Sequence, residues 1–122
     1  MKDKFFFDTY AFFGLIYGNP NYIPYTNSQI VTTSLNLFEL YINILRETNE
    51  EKAKEILDFY YDFAVDFDKR VIEESAKLKH QLNKRNVSMV DCIGYVLAKQ
   101  LGIKFLTGDK EFETLDNVEF VK

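Results

Sequence analysis

Apolar and polar positions divide this chain into short blocks of two kinds. Lys4-Phe5-Phe6-Phe7 is apolar without alternation and ends at Asp8, the pattern of a strand buried on both faces. Thr9 to Tyr17 reads as a short helix stopped by Gly18-Asn19-Pro20. Asn21 to Ser28 fits no single element, and Pro24 argues against a long helix there. Gln29 to Thr33 is β-branched and strand-like. Leu35 to about Thr48 and Asn49 to about Tyr61 read as two helices, the second with Glu50 and Glu51 near its start. Phe63 to Phe67 reads as a third strand. Asp68 then opens a charged helix with Val71, Ile72, Leu78 and Leu82 as its inner side. Ser88 is the expected N-cap of a helix running to about Leu101 and closed by Gly102. Lys104 to Thr107 is strand-like, Lys110 to Leu115 a helical turn or two, and Val118 to Val121 a last strand. The order β-α-β-α-α-β-α-α-β-α-β predicts one α/β domain over residues 1–122 with a mainly parallel central sheet covered on both faces. Repeats, low-complexity tracts and interdomain linkers are not evident.

Composition narrows the class. Hydrophobic residues make up 47% of the chain, with twelve Phe, eight Tyr and no Trp, enough for one ordinary core. No apolar run approaches the roughly 20 residues that a membrane crossing needs. The apolar N-terminal stretch is interrupted by Asp8 and lacks a small-residue cleavage site, so it reads as a strand and not as a signal peptide. One cysteine, Cys92, cannot close an internal disulfide, which points to a reducing cytoplasm. With His80 the only histidine, a Cys/His zinc site is excluded. The net charge of −4 argues against binding nucleic acid by charge alone, unless cations neutralise a concentrated share of the acids. Lys77, Lys79, Lys84 and Arg85, with His80 among them, form the one basic concentration: a solvated helix face or a contact for an RNA backbone.

Four acids stand out. Asp8 and Asp109 each end an apolar strand and open a helix, the place where open α/β sheets gather their ligands. A helix cap explains either one equally well. Asp91 sits in the first turn of a helix that is apolar nearly all round. There Ser88-Met89-Val90-Asp91 is similar to a capping box, and Gly94 suggests close packing on a neighbouring element. Glu39 shares a helix face with Asn36 and Asn43, read either as a solvent-facing stripe or as the wall of a wet cleft. Carboxylates gathered at one place repel, by about 4 kcal/mol for a pair at 4 Å in an effective dielectric near 20. Such a cluster takes up protons or binds a hard divalent cation, Mg²⁺ or Mn²⁺.

These segments resemble the PIN-domain family, most of all its VapC-type toxins from toxin–antitoxin pairs. The resemblance rests on Phe5-Phe6-Phe7-Asp8-Thr9, Leu37-Phe38-Glu39-Leu40, Ser88-Met89-Val90-Asp91-Cys92-Ile93-Gly94, Phe105-Leu106-Thr107-Gly108-Asp109-Lys110-Glu111-Phe112 and Val118-Glu119-Phe120-Val121. It implies a three-layer α/β/α sandwich and an endoribonuclease, with Asp8, Glu39, Asp91 and Asp109 as catalytic metal-site residues and Mg²⁺ or Mn²⁺ as cofactor. Thr9 and Thr107 would be supporting hydrogen-bond partners. Water would be activated for in-line attack on an RNA phosphodiester. A cognate antitoxin and a homodimer are the partners that the resemblance implies. Gly108 departs from the pattern, standing where such toxins often carry Arg; Cys92 and Gly94 stand where Ala is common.

A non-catalytic module of the same shape, binding RNA or protein, is the second reading. A haloacid-dehalogenase-like phosphatase would need a second Asp where Tyr10 stands. A phospho-receiver would use Asp66 or Asp68 after the third strand and leave Glu39 and Asp91 without a role.

Overall fold

The computed structural model describes residues 2–122. Four strands, β1 (Lys4–Phe7), β2 (Gln29–Val31), β3 (Lys104–Thr107) and β4 (Val118–Phe120), form one all-parallel sheet in the order β2-β1-β3-β4. Five helices surround it: α1 (Thr9–Ile16), α2 (Ser34–Glu47), α3 (Glu50–Tyr60), α4 (Lys69–Gln81) and α5 (Met89–Leu101). Short 3-10 turns occupy Pro20–Tyr25, Tyr61–Phe63 and Lys110–Phe112.

The unbroken apolar run of β1 is explained by two cores, one on each face of the sheet. Phe5 and Phe7 point to the side where α1, α2 and α3 contribute Phe12, Leu40, Ile44, Ala53 and Tyr60. Phe6 points to the other side, where Cys92, Ile93, Leu97 and Ala98 of α5 meet Val71 of α4, Phe105 and Phe112. The expected three layers are therefore present. Phe6, Phe7 and Phe105 are fully buried, each such ring contributing about 1.5–3 kcal/mol by leaving water. Gly94 allows α5 to lie close on the sheet, because a Cβ there would stand 2.7 Å from the Phe6 ring. Cys92 is buried in this core, away from any ligand role.

The sheet departs from the expected pattern in one strand. Phe63–Phe67 forms no strand; only Ala64 bridges to Thr32, with Val65 N–H donating to the Thr32 carbonyl (2.9 Å). The cause lies in β2, which stops at Val31 so that Thr33 can cap α2 through its hydroxyl, leaving no further edge to pair with. The sequence read β2 as running on to Thr33. With this strand gone, the receiver reading loses its acceptor position; Asp68 instead caps α4. On α4 the inner side is Val71, Ser75, Leu78 and Leu82, whereas Ile72, one position off that stripe, is 55% exposed. The undecided segment Asn21 to Ser28 holds most of the 3-10 turn Pro20–Tyr25, started by the Asn19 side chain accepting from Asn21 N–H. From it Tyr22 and Asn21 donate to the carbonyls of Val121 (2.6 Å) and Lys122 (2.7 Å), and Tyr25 donates to Glu119 (2.6 Å). These bonds pin the end of the chain beside β3.

Candidate active site

In the strand order β2-β1-β3-β4 the chain leaves β1 toward β2 and returns on the other side as β3. The crevice beyond the carboxyl ends of β1 and β3 is thus a switch point, where no connection covers the strand ends. Asp8 follows β1 directly, and Asp109 follows β3 by one residue after Gly108. The first turn of α5 brings Asp91 to the same crevice, while Glu39 of α2 stands beside it, bonded to Thr9. A cleft of about 470 Å³ opens here, lined among others by Asp8, Thr9, Asp91, Gly108 and Asp109.

Each of the four acids is held by one oxygen. Thr107 Oγ1 donates to Asp8 Oδ2 (2.7 Å), Thr9 Oγ1 to Glu39 Oε1 (2.8 Å), Ser88 N–H to Asp91 Oδ2 (3.0 Å) and Glu111 N–H to Asp109 Oδ1 (3.0 Å). Such bonds fix the carboxyl planes and leave the second oxygen of each group to other partners. The cap readings divide accordingly. Asp109 caps its turn and Asp91 completes a capping box with Ser88, but the Asp8 side chain makes no cap bond although it holds the N-cap position of α1.

Asp8 is the exceptional group. It is 2% exposed, and Oδ1 is the one buried side-chain polar atom without a hydrogen-bond partner among the described residues. Burial raises its pKa to about 8, the charge of Asp91 adding to this, Thr107 opposing it and Glu39 contributing a little. Burial likewise raises Glu39, with Asp91 adding and the Thr9 bond opposing. Asp91 is raised by burial against the two Ser88 bonds, with Asp109 adding, and a proton on Asp8 can be shared with it. The repulsions link Asp8 to Asp91 and Glu39, Glu39 to Asp91, and Asp91 to Asp109, so all four acids feel at least one other. Among the described residues no three His, Cys, Asp or Glu side chains stand preassembled as a cation site. The donor set of the four acids still matches a hard cation: oxygen ligands alone, with Asp8 Oδ1 buried and given no hydrogen by any backbone or hydroxyl donor among the described residues.

Sequence reasoning undervalued Asn36. Instead of facing a wet cleft with Glu39, it is fully buried. Its Nδ2 donates to Thr9 Oγ1 (3.2 Å) and its Oδ1 accepts from Thr33 Oγ1 (2.7 Å), so Thr33, Asn36 and Thr9 form a relay that ends on Glu39. Asn43 donates to the Glu39 carbonyl and takes no part in the cleft. The basic concentration does not line the cleft either. Lys79 donates to the Val87 carbonyl, Arg85 to that of Glu111 and Lys77 to Glu74, while His80 is exposed. The cations that do line it are Lys110 and Lys122, beside Tyr10 and Phe13. The spacing of Tyr10 and Phe13 straight after Asp8 was the available signal.

Gly108 is a close approach rather than an unusual backbone angle. A Cβ there would overlap the Tyr10 ring and the Val121 carbonyl oxygen. No side chain fits, arginine least of all, because Tyr10 fills the space. Gly108→Ala is expected to destabilise the protein by about 1–3 kcal/mol, since backbone has to move, which chemical denaturation will measure.

A family model described as the PIN domain matches residues 5–118. No curated protein matches the chain. Among solved structures, Mycobacterium tuberculosis VapC20, a sarcin-ricin loop cleaving toxin, is similar with a TM-score of 0.77 at 17% identity over 97% of this chain and 99% of that one. DNA-bound VapBC from Salmonella typhimurium has a TM-score of 0.73 at 18% identity over 97% and 96%. A toxin–antitoxin complex from Klebsiella pneumoniae has 0.71 at 17% identity over 93% and 94%.

Proposed function

We propose, because this chain belongs to the PIN-domain family, that it is a divalent-cation-dependent endoribonuclease acting as the toxin of a toxin–antitoxin pair. The observation that carries this reading is Asp8 Oδ1, a buried carboxyl oxygen without a hydrogen-bond partner among the described residues, beside a cleft that Asp91 and Asp109 also line. Leaving such an atom unsatisfied costs about 1–3 kcal/mol or more, a penalty that a missing partner at a working site accounts for.

Asp8, Glu39, Asp91 and Asp109 would hold Mg²⁺ or Mn²⁺. When bound, such an ion lowers the pKa of water and neutralises charge on the phosphodiester oxygens. The chain's own part is positional. Thr107 and the Asn36–Thr9 relay aim Asp8 and Glu39, while backbone N–H groups aim Asp91 and Asp109. The resemblance to VapBC and related complexes supports a cognate antitoxin, and with it a cytoplasmic homodimer, as the partners of this chain.

Calorimetric titration with Mn²⁺ and Mg²⁺ tests the reading. Near neutral pH the raised pKa keeps Asp8 largely protonated, so binding is expected to release a proton, and the heat will change with the ionisation enthalpy of the buffer. Single-stranded RNA is expected to be cut with either ion and spared with EDTA. A protein that binds no divalent ion and cuts no RNA is the non-catalytic module instead.

A further inference from the structure

The cleft has a second set of groups that the four acids leave unused. Besides Asp8, Thr9, Asp91, Gly108 and Asp109, its lining consists of Tyr10, Phe13, Lys110 and Lys122. Tyr10 and Phe13 stand three residues apart on α1 and so share a face. The Tyr10 ring is braced from behind, packed over Gly108 and against the Tyr22 ring with centroids 6.4 Å apart, yet it keeps 36% of its surface exposed. Lys110 and Lys122 are exposed, and neither is in an ion pair among the described residues. The bond from Asn21 to the Lys122 carbonyl and that from Tyr22 to the Val121 carbonyl hold the second lysine at the rim.

An acidic floor, a rigid aromatic wall and two unpaired ammonium groups suit a polymer with flat rings and regularly spaced phosphates. An aromatic ring is not an oxygen ligand for a hard divalent cation, and the net charge of −4 offers no broad attraction to nucleic acid, so local contacts have to supply it. A base inside a duplex already stacks on its neighbours and cannot reach a wall; an unpaired base can. We propose that Tyr10, braced by Gly108 and Tyr22 and with Phe13 beside it in the lining, is the stacking platform for one unpaired nucleobase of single-stranded RNA, and that Lys110 and Lys122 hold the adjoining phosphates. Because every base has a π face, the platform selects single-stranded regions and tolerates sequence. This inference rests on the nuclease reading for the identity of the polymer.

Fluorescence anisotropy in an Asp8→Asn background, where the RNA stays uncut, tests it. Tyr10→Leu keeps an apolar contact over Gly108 but loses the flat ring, and is expected to weaken binding of a short single-stranded RNA by about 5- to 100-fold, the range for one stacked base. Tyr10→Phe restores the ring and is expected to bind within about twofold of the parent. Lys110→Gln and Lys122→Gln, surface changes that leave folding intact, are each expected to weaken binding and to flatten the log–log salt slope by about 0.7. The same sequence as a duplex is expected to bind at least about tenfold more weakly. Equal binding by Tyr10→Leu and Tyr10→Phe, or equal binding of duplex and single strand, overturns the platform; an unchanged salt slope overturns the role of the lysines. Cleavage by the unsubstituted chain is read separately. RNA cut by a protein that fails these binding tests removes the platform alone, whereas binding as described without cleavage removes the nuclease reading alone.

Discussion

Asp8→Asn will lower the rate of RNA cleavage by about a thousandfold or more while leaving the fold intact. A cation that polarises a phosphoryl oxygen is worth several kcal/mol of transition-state stabilisation, and each 1.36 kcal/mol is a factor of about ten in rate. Asparagine keeps the shape of the side chain and an oxygen for the Thr107 hydroxyl, so the β1 and β3 ends stay joined. It withdraws the charge that a cation needs and the carboxyl that Asp91 repels. The buried site carries no compensating positive group, so the cation-free variant is expected to melt no lower than the wild type. Single-turnover cleavage of a labelled RNA, with thermal melting of the same sample, checks both halves. Cleavage at the wild-type rate would remove Asp8 from the site.

The second large effect is a stability profile that runs against the usual behaviour of aspartates. The folded-state pKa of Asp8 is raised to about 8 against an ordinary value of 3.8, so between those pH values the folded chain holds a proton that the unfolded chain has released. Stability therefore falls as pH rises through this window, by up to about 1.4 kcal/mol per unit where a full proton separates the two states. The contribution is fully present below pH 4 and lost above 8. Glu39 and Asp91 are shifted in the same direction and steepen the acidic part of the fall. On the proposed reading a divalent cation would replace the proton, so Mn²⁺ is expected to stabilise the protein more at pH 9 than at pH 5. At a hundred times its dissociation constant the gain is about 2.7 kcal/mol. Urea denaturation from pH 4 to 9, with EDTA or Mn²⁺, reads this directly. Asp8→Asn should flatten the EDTA profile; a wild-type profile that rises over pH 5–8 would contradict the burial argument.

What the sequence revealed followed from how directly each signal maps onto backbone geometry. Phe5-Phe6-Phe7-Asp8 was readable because an apolar run without alternation has one common cause, burial on both faces, and because the acid behind it marks a strand end. Ser88 to Asp91 was readable because capping is local. The supposed strand Phe63–Phe67 failed because strand pairing is not local: its β-rich composition says nothing about whether β2 is long enough to receive it. Asn36 was misplaced for a related reason. Helical periodicity put it on the face of Glu39, but only the packing of α1 against α2 shows that this face is dry at Asn36. Tyr10 and the two lysines were invisible as a group, since nothing in the sequence brings Lys122 beside Lys110 before the Tyr22 and Asn21 bonds are known. The sequence alone did not show whether the acids converge; the fold lines one cleft with Asp8, Asp91 and Asp109 and sets Glu39 against Thr9 beside it.

The register of the sheet also bears on when the crevice can form during synthesis of the chain. β1 pairs with β3 across almost a hundred residues, Phe6 lying opposite Phe105, and Asp109 lies beyond that pairing. A nascent chain emerging from the ribosome has Asp8 and Glu39 early, but β1 lacks its neighbour until β3 has left the tunnel. No truncated product that ends before β3 can assemble the crevice, so translation that stalls partway yields fragments without the site.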